Sequence, residues 1–425
     1  MTVSRFKDPS TARMNHPEWS KNATIYQINM RHFTKEGTFA AAQSHLPRLQ
    51  DLEVDILWLM PINGIGKKNR KGSLGSPYAV QDYYSVNSEF GDLDSLRHFV
   101  SAAQKLGFKV ILDWVANHTA CDSELVKTHP DWFLRDWKGD FCPTPWYDWD
   151  DIIELDYRVP ELWEYMLKAM TYWVTEAGID GFRCDVAGFI PTDFWNLVRT
   201  ELDKIKPVFM LAEWEDRDLH TTAFDMTYGW RWHETMHRIA RGEATVNELC
   251  VYYAWNEKAY PDDSMRMLFV SNHDKNAWEG TEYELFGEAL DATIVLSVIS
   301  EGMPLIYNGQ EAGNEKRLAF FDKDSIKWRK HRYTSFYKDL FFLKKKNTAL
   351  WNAPWGGRMI KVDNNLPEQV FSFTRQNSED KVFAVFNLSP QSTKVTFTGG
   401  PFEGHYLDCF SKLDCFSKKE KTFKA

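Results

Sequence analysis

Acidic residues end three short apolar segments of the sequence, at Asp185, Glu213 and Asp274. The composition of these segments is typical of strands, and each acid stands at the carboxyl end of its segment. One acid at such a place is unremarkable, because Asp often begins a loop. Three acids on separate strands, accompanied by Arg183 and two histidines, indicate a catalytic cluster.

Cleavage of a glycosidic bond requires a pair of carboxyl groups. In a retaining enzyme one carboxylate attacks the sugar, and a second, roughly 5–5.5 Å away, acts first as an acid and then as a base. We assign the attack to Asp185, because Arg183 lies two residues earlier on the same strand face and would keep the carboxylate ionised. Glu213 stands beside Trp214, and apolar surroundings raise the pKa of a carboxyl group, as an acid near neutral pH requires. Asp274 would stabilise the charge of the transition state.

Eight strand-like segments alternate with amphipathic segments of helical period, for example 93–106 and 285–300. This alternation predicts a parallel sheet, and eight units favour a (β/α)8 TIM barrel over the alternative, a doubly wound sheet. Catalytic residues of such barrels lie at the carboxyl ends of the strands, where the three acids would meet. The eight predicted strands are 24–28, 55–61, 109–115, 181–186, 208–214, 224–228, 267–274 and 304–309.

Two parts of the sequence depart from this alternation. The part that follows the third strand is rich in Trp, Asp and Pro and has little helical period, so we predict a small inserted domain. Near the C-terminus, apolar and polar residues alternate between turn residues, which predicts an antiparallel β-domain, a β-sandwich. The predicted organisation is a catalytic barrel over 1–118 and 158–348, an inserted domain over 119–157 and a C-terminal domain over 349–425.

Four motifs resemble, in order and spacing, the signature regions of the α-amylase family, glycoside hydrolase family 13. They are DWVANH (113–118), GFRCDV (181–186), AEW (212–214) and SNHD (271–274). Two further segments, SPYAVQDYYSVNSEFG (76–91) and GMPLIYNGQE (302–311), are similar to other regions of that family. The resemblance spans about residues 20–345 and implies the barrel, the inserted domain and the C-terminal domain.

The resemblance implies Asp185 as the nucleophile, Glu213 as the acid and base, and Asp274 as the stabiliser of the transition state. Trp214, at a strand end, is in addition a candidate for stacking on sugar. The residues that the resemblance implies as ligands of the sugar at the cleavage site are Tyr78, His118, Arg183 and His273.

Two places differ from the pattern of the family. Many starch-cleaving members carry Lys-His shortly after the nucleophile, where they contact the sugar beyond the scissile bond, and this chain has Gly188 and Phe189 there. Asn117 matches a residue that often binds a structural calcium ion, and Glu154 stands where an Asp ligand is usual. The resemblance therefore implies a structural Ca²⁺ at Asn117 and Glu154, and no cofactor for the chemistry itself.

These observations predict retaining hydrolysis of α-1,4-glucosidic bonds in starch or malto-oligosaccharides, through a covalent glycosyl-enzyme intermediate. Val186, directly after the nucleophile, also occurs among α-1,6-glucosidases of the family, so such an enzyme is one alternative. A transglycosylase of the same family is another, because it would share all three acids. A non-catalytic carbohydrate-binding relative is a remote alternative, since such relatives usually lose a catalytic carboxylate.

Composition excludes several other classes of protein. The net charge of −9 argues against a nucleic-acid partner, and no apolar run approaches the roughly 20 residues of a membrane span. The N-terminus has no signal-peptide pattern, which predicts a cytoplasmic protein, or a secreted or periplasmic one if a signal was removed. None of the six cysteines forms a CxxC pair, which argues against zinc, and the oligomeric state stays open.

Overall fold

The computed structural model describes residues 14–412 and 415–423. The strands are β1 (Ile25–Ile28), β2 (Ile56–Leu59), β3 (Gly64–Ile65), β4 (Val80–Asp82), β5 (Lys109–Trp114), β6 (His118–Ala120), β7 (Ile152–Glu154), β8 (Gly181–Cys184), β9 (Phe209–Ala212), β10 (Met226–Tyr228), β11 (Met265–Phe269), β12 (Met303–Tyr307), β13 (Met359–Lys361), β14 (Asp363–Asn364), β15 (Val370–Gln376), β16 (Lys381–Asn387), β17 (Phe397–Gly399), β18 (Gly404–Lys412) and β19 (Cys415–Phe423).

Eight of these strands close into a parallel barrel in the order β1-β12-β11-β10-β9-β8-β5-β2. Each of the eight overlaps one predicted strand, so the predicted (β/α)8 TIM barrel is confirmed and the doubly wound sheet is wrong. Buried residues such as Ile25, Ile111 and Phe209 fill the inside of the barrel, and a second apolar layer joins the strands to the surrounding helices.

The helices that surround and connect the strands follow the amphipathic segments. In the helix after β4, Asp92 accepts the N–H of Ser95 and Ser95 bonds back to Asp92, which fixes the first turn. Its buried residues, Leu96, Phe99 and Val100, recur at helical spacing. The helices are α1 (Met30–Phe33), α2 (Phe39–Gln43), α3 (Leu46–Asp51), α4 (Leu93–Lys105), α5 (Glu124–Thr128), α6 (Pro160–Glu176), α7 (Thr192–Asp203), α8 (Trp230–Ala240), α9 (Val246–Ala259), α10 (Glu282–Phe286), α11 (Leu290–Ile299) and α12 (Arg332–Lys346).

One predicted helix is wrong in its extent. Residues 285–300 do not form a single helix, because α10 ends at Phe286 and α11 begins at Leu290. Gly287 between them has φ of 49° and ψ of −125°, a positive-φ conformation that glycine adopts without steric cost and that does not continue a helix. None of the helices in the described ranges is long and apolar enough to cross a bilayer.

Two smaller parts extend from the barrel. After β5, strands β6 and β7 pair antiparallel, and α5 lies between them in sequence. These elements belong to the segment predicted as an insertion, apart from His118 at the start of β6. At the C-terminal end, β13, β15 and β16 form an antiparallel sheet, and β14-β17 and β18-β19 form two-stranded sheets. The segment LDCFSK occurs twice in succession, at 407–412 and 413–418. It lies in the β18-β19 pair, whose register shifts after Asp408, and Leu413 and Asp414 are outside the described residues.

Candidate active site

The barrel brings the three predicted acids to one rim. Asp185 directly follows β8, Glu213 directly follows β9, and Asp274 lies five residues beyond the end of β11. The backbone holds two of them in line with the neighbouring strands, since the N–H of Asp185 bonds to Trp114 O at 2.9 Å and that of Glu213 to Cys184 O at 2.9 Å. Carboxyl ends of parallel strands thus position the acids, as in other barrels of this type.

One guanidinium lies beneath this rim and contacts three carboxylates. Arg183, which is fully buried, approaches Asp113 Oδ1 at 2.7 Å and Asp185 Oδ1 at 2.9 Å through Nη1. Its Nη2 lies 2.9 Å from Glu213 Oε2, although the N–H does not point at that oxygen, so this contact is an ion pair without an aligned hydrogen bond. We call these three acids the carboxylate cluster. One positive charge cannot neutralise all three.

The consequence is that the pKa values of these buried acids are raised. Burial raises the pKa of Asp185 to about 7, and Asp113 and Asp274 add to this effect while Arg183 opposes it. Burial likewise raises the pKa of Glu213 to about 8, against the effect of Arg183. Arg183 lowers the pKa of Asp185, as expected, but burial and the neighbouring carboxylates raise it by more. The expected elevation of the pKa of Glu213 is confirmed.

Val186 holds the Glu213 carboxyl group through a strained backbone. Its φ of 35° and ψ of 46° lie in the left-handed region, which costs a β-branched residue about 1–3 kcal/mol. This conformation directs the Val186 N–H at Glu213 Oε2, which accepts it at 2.8 Å. Oε2 is thus held both by a backbone donor and by the guanidinium of Arg183.

A hydrogen-bond chain crosses the site from β1 to the carboxylate cluster. Gln27 Oε1 accepts the backbone N–H of His273 at 3.3 Å. This bond orients the Gln27 amide so that its Nε2 donates to His273 Nδ1 at 2.7 Å. Because Nδ1 then accepts, the neutral ring carries its proton on Nε2 and donates to the Tyr78 oxygen at 2.7 Å. The Tyr78 O–H in turn donates to Asp113 Oδ2 at 3.1 Å. Burial lowers the pKa of His273 to about 4, which keeps the ring neutral.

The other predicted sugar ligands border the same space. His118 Nε2 lies 3.9 Å from Asp185 Oδ2, and burial lowers the pKa of His118 to about 4. Asp274 is the accessible acid, with 41% of its side chain exposed and Oδ2 3.2 Å from His273 Nε2. Trp214 is half-buried next to Glu213, and its ring packs on Phe189 at 5.0 Å between centroids. All of the predicted site residues other than Asn117 and Glu154 thus lie together at the carboxyl rim of the barrel.

Sequence reasoning missed three residues that hold this arrangement. Asp113 lies against Arg183 and receives a hydrogen bond from Trp58 Nε1 at 3.0 Å. Tyr228 accepts Arg183 Nε at 3.2 Å, and Gln27 orients His273. In the sequence, Asp113 and Tyr228 could have been recognised by their positions at strand ends. Gln27 could have been recognised as a polar residue in the middle of an apolar segment.

Asn117 and Glu154 lie together, and Thr144 lies between them. Asn117 Nδ2 donates to Thr144 Oγ1 at 3.0 Å, and Thr144 also hydrogen-bonds with Glu154. Burial raises the pKa of Glu154 to about 6, and its Oε2 has no hydrogen-bond partner. Ca²⁺ takes six to eight oxygen ligands, commonly several carboxylates. One carboxylate, one amide and one hydroxyl do not fit the structural Ca²⁺ that the resemblance implies, and the described residues contain no group of three His, Cys, Asp or Glu that could hold a metal.

We predict that Asp113→Asn shifts the acidic limb of the pH profile of kcat/KM to lower pH. The negative charge of Asp113 raises the pKa of Asp185, so its removal lets Asp185 ionise at lower pH. Activity that requires an ionised Asp185 then persists further into acid. Initial rates across the pH range measure the shift, with Asp82→Asn, at the end of strand β4, as the matched control. If the acidic limb of Asp113→Asn stayed at the same pH or moved to higher pH, the proposed effect of Asp113 on the pKa of Asp185 would be contradicted.

The fold and the site together define a barrel protein with the residues of a glycoside-cleaving centre at its carboxyl rim. Comparison with known proteins agrees. The family model described as Alpha amylase, catalytic domain, matches residues 3–349, and the model described as Alpha amylase, C-terminal all-beta domain, matches residues 362–423. The chain belongs to the α-amylase family.

Two solved structures and one curated protein illustrate the similarity. A maltogenic α-amylase, AmyB, from Thermotoga neapolitana has a TM-score of 0.86 at 31% identity, over 96% of this chain and 95% of that chain. An α-amylase from Lactobacillus plantarum has a TM-score of 0.81 at 31% identity, over 92% and 93%. Alpha-amylase MalA from Haloarcula japonica is 26% identical over 409 residues, which are 90% of this chain but only 58% of MalA.

Proposed function

We propose that this chain is a retaining glycosidase that cleaves α-1,4-glucosidic bonds in starch or malto-oligosaccharides. The observation that carries the proposal is that Asp185, Glu213 and Asp274 meet at one rim of the barrel. Asp185 and Glu213 both form ion pairs with the guanidinium of Arg183. Two carboxyl groups held by one guanidinium suit the close spacing of retaining enzymes, and not the wider spacing that an attacking water requires in inverting ones.

In the first step Asp185 attacks the anomeric carbon of the bound sugar. Glu213 donates its proton to the glycosidic oxygen, so that the bond between this oxygen and the anomeric carbon breaks and the leaving sugar departs as an alcohol. The raised pKa of Glu213 supports this role, because the carboxyl group still carries a proton near neutral pH. The product of this step is a glycosyl ester of Asp185.

In the second step Glu213, now a carboxylate, takes a proton from water while the water oxygen attacks the anomeric carbon. The ester bond to Asp185 breaks, the sugar leaves with its original configuration, and Glu213 is protonated again. Val186 N–H and Arg183 hold Glu213 in place for both proton transfers. The same group thus serves as acid and base without leaving its position.

Asp274 and the neutral histidines contact the sugar as charge develops. Asp274 is the most exposed of the three acids, so its carboxylate would be open to the positive charge of the oxocarbenium-like transition state. His118 is buried and neutral and borders Asp185, so it would hydrogen-bond a sugar hydroxyl there. Both ring nitrogens of His273 already bond to Gln27 and Tyr78, so His273 would bind a sugar hydroxyl only by exchanging its bond to Tyr78. The α-1,4 preference itself is supported by the names of the similar structures, an α-amylase and a maltogenic α-amylase.

The test is to incubate the protein with maltoheptaose and, separately, with isomaltotriose, and to follow the products by chromatography. We expect maltose and maltotriose to form from maltoheptaose and isomaltotriose to stay intact. Asp185→Asn serves as the inactive control. Glucose from isomaltotriose alone would overturn the linkage in favour of an α-1,6-glucosidase, and products longer than the substrate would indicate a transglycosylase. No product from either substrate would contradict the proposed activity.

A further inference from the structure

Residues 66–75 form a loop at the carboxyl rim of the barrel, directly after β3. We call these residues the β3 loop. Its two ends lie together, because a Cβ atom at Gly75 would stand 2.9 Å from Ile65 Cγ2. Arg70, in the middle of the loop, donates back to Ile65 O at 2.9 Å. The β3 loop is therefore a compact projection from the rim, and its neighbours determine where it lies.

On one side the β3 loop bonds to the inserted segment. The carboxylate of Asp122 accepts the backbone N–H of Lys67 at 2.9 Å. Lys71 Nζ donates to Asp148 O at 2.8 Å and lies 3.0 Å from Asp150 Oδ1. Backbone and side-chain contacts thus both hold this side of the loop.

On the other side the β3 loop bonds to the loop that follows β12. Asp322 Oδ1 accepts the backbone N–H of Ser73 at 2.7 Å, and Phe321 O accepts the N–H of Gly75 at 3.1 Å. Arg31, which is buried in the helix after β1, donates to Gly75 O at 3.0 Å. The inserted segment, the β3 loop and the loop after β12 therefore form one continuous wall, which Arg31 supports.

The order of the strands places this wall opposite the proposed acid. In the closed sheet, β9 is four strands away from β1 in either direction, and Glu213 directly follows β9. The two neighbours of β1 are β2 and β12. Since the β3 loop comes after β2 and bonds to the loop after β12, it crosses the rim above β1. This is the side of the rim farthest from Glu213.

The chemistry places the retained part of the substrate on the same side. Glu213 must protonate the glycosidic oxygen, so the departing sugars lie on its side of the scissile bond and the sugars that stay on Asp185 extend the other way. Phe320 stacks on Tyr78 at 6.1 Å between ring centroids and contacts Phe321 at 5.2 Å. Two ring-to-ring contacts thus join Tyr78, at the cleavage site, to the residue that bonds to the β3 loop.

We propose that the β3 loop closes the cleft opposite Glu213, so that the protein cleaves α-glucan chains from their non-reducing ends and not at internal bonds. In a retaining glycosidase the sugars that stay on the nucleophile are those on the non-reducing side of the bond. A wall on that side limits how many glucose units can lie there, and an internal bond has too many of them. Asp122 and Asp322 then determine specificity, because their carboxylates hold the β3 loop in place. The proposal rests on the proposed glycosidase function.

A substrate with a blocked non-reducing end tests the proposal on the wild-type protein. Maltoheptaose is compared with maltoheptaose whose terminal glucose carries a 4,6-O-ethylidene group. The blocked substrate is expected to have a kcat/KM lower by about 100-fold or more, because the added group would clash with the wall. Equal constants for the two substrates would overturn the proposal, because cleavage at internal bonds needs no free end. A protein inactive on unblocked maltoheptaose would instead overturn the proposed function, so the two failures are distinguishable.

A shortened loop tests which residues form the wall. Replacement of residues 67–74 by Gly-Ser-Gly removes the bonds to Asp122 and Asp322, and the chain can still close because the ends of the loop lie together. This variant is expected to raise the ratio of kcat/KM for the blocked substrate to that for the unblocked one by about 10-fold or more. It should also release longer products from maltoheptaose at early times.

Two single substitutions accompany the shortened loop. Asp322→Ala keeps the loop but removes its bond to Ser73, so the ratio should rise in the same direction. Asp51→Ala is the matched control, because it removes an exposed carboxylate that pairs with Lys338 between two outer helices, and it should leave the ratio unchanged. An unchanged ratio in the shortened loop and in Asp322→Ala, at wild-type melting temperatures, would overturn the proposal. If the shortened loop does not fold, the wild-type comparison still decides it.

Discussion

Asp185→Asn is expected to lower kcat/KM for maltotetraose by a factor on the order of 10⁴ or more. The amide cannot form the glycosyl ester, so the two-step route is closed, although the neighbouring groups still bind sugar. The fold should survive, because Asn is nearly isosteric and its neutral side chain removes one of three acids that share a single guanidinium. Steady-state rates and the melting temperature measured on the same preparation test both statements.

A smaller variant distinguishes a nucleophile from a residue that only supports the site. Asp185→Gly leaves space where the carboxylate stood, and azide can enter it and attack the anomeric carbon from the same face. With α-maltosyl fluoride the expected product is maltosyl azide of inverted, β configuration, because one displacement replaces two. Two results would show that another residue attacks the sugar. One is rescue by azide with an α-azide as the product; the other is no rescue of Asp185→Gly together with wild-type rates of Asp185→Asn.

Much of the barrel could be predicted because it depends on local and repetitive signals. Eight apolar segments separated by helical periods define parallel strands, and acids at their ends must meet at one rim. The roles proposed for Asp185 and Glu213 rest on that geometry and on the adjacent Arg183. The break between α10 and α11 was missed because a helical period continues across Gly287, whose backbone conformation no period reveals.

What could not be predicted depends on contacts between distant segments. The burial of Arg183 among three acids determines the protonation of the cluster, and only one of those acids is near it in sequence. The reason for glycine at position 188 was equally hidden. The sequence shows only that the Lys of many family members is missing there, whereas in the structure a Cβ atom at position 188 would stand 2.0 Å from Trp214 Cε2. In both cases the explanation lies in residues that are distant in sequence.

Glu213→Gln is expected to lower kcat/KM for maltotetraose by about 10³-fold and to spare the first chemical step with α-maltosyl fluoride. A sugar leaving group needs a proton, which Gln cannot supply, whereas fluoride departs without one. Loss of this proton donor should also remove the basic limb of the pH profile, which in the wild type reflects a pKa raised to about 8 by burial. Activity of the wild type falls as the pH rises through that value, because Glu213 loses the proton it must donate.

Rapid mixing with α-maltosyl fluoride should then show a burst of fluoride equal to the enzyme concentration, followed by slow turnover. The slow phase reflects the second step, in which water needs Glu213 as a base. Azide needs no base, so it should accelerate turnover of Glu213→Gln and have little effect on Glu234→Gln, a control on the exposed side of α8. Equal losses on both substrates without a burst would mean that Glu213 only holds Arg183 and Val186 in place, because such a structural role would not depend on the leaving group.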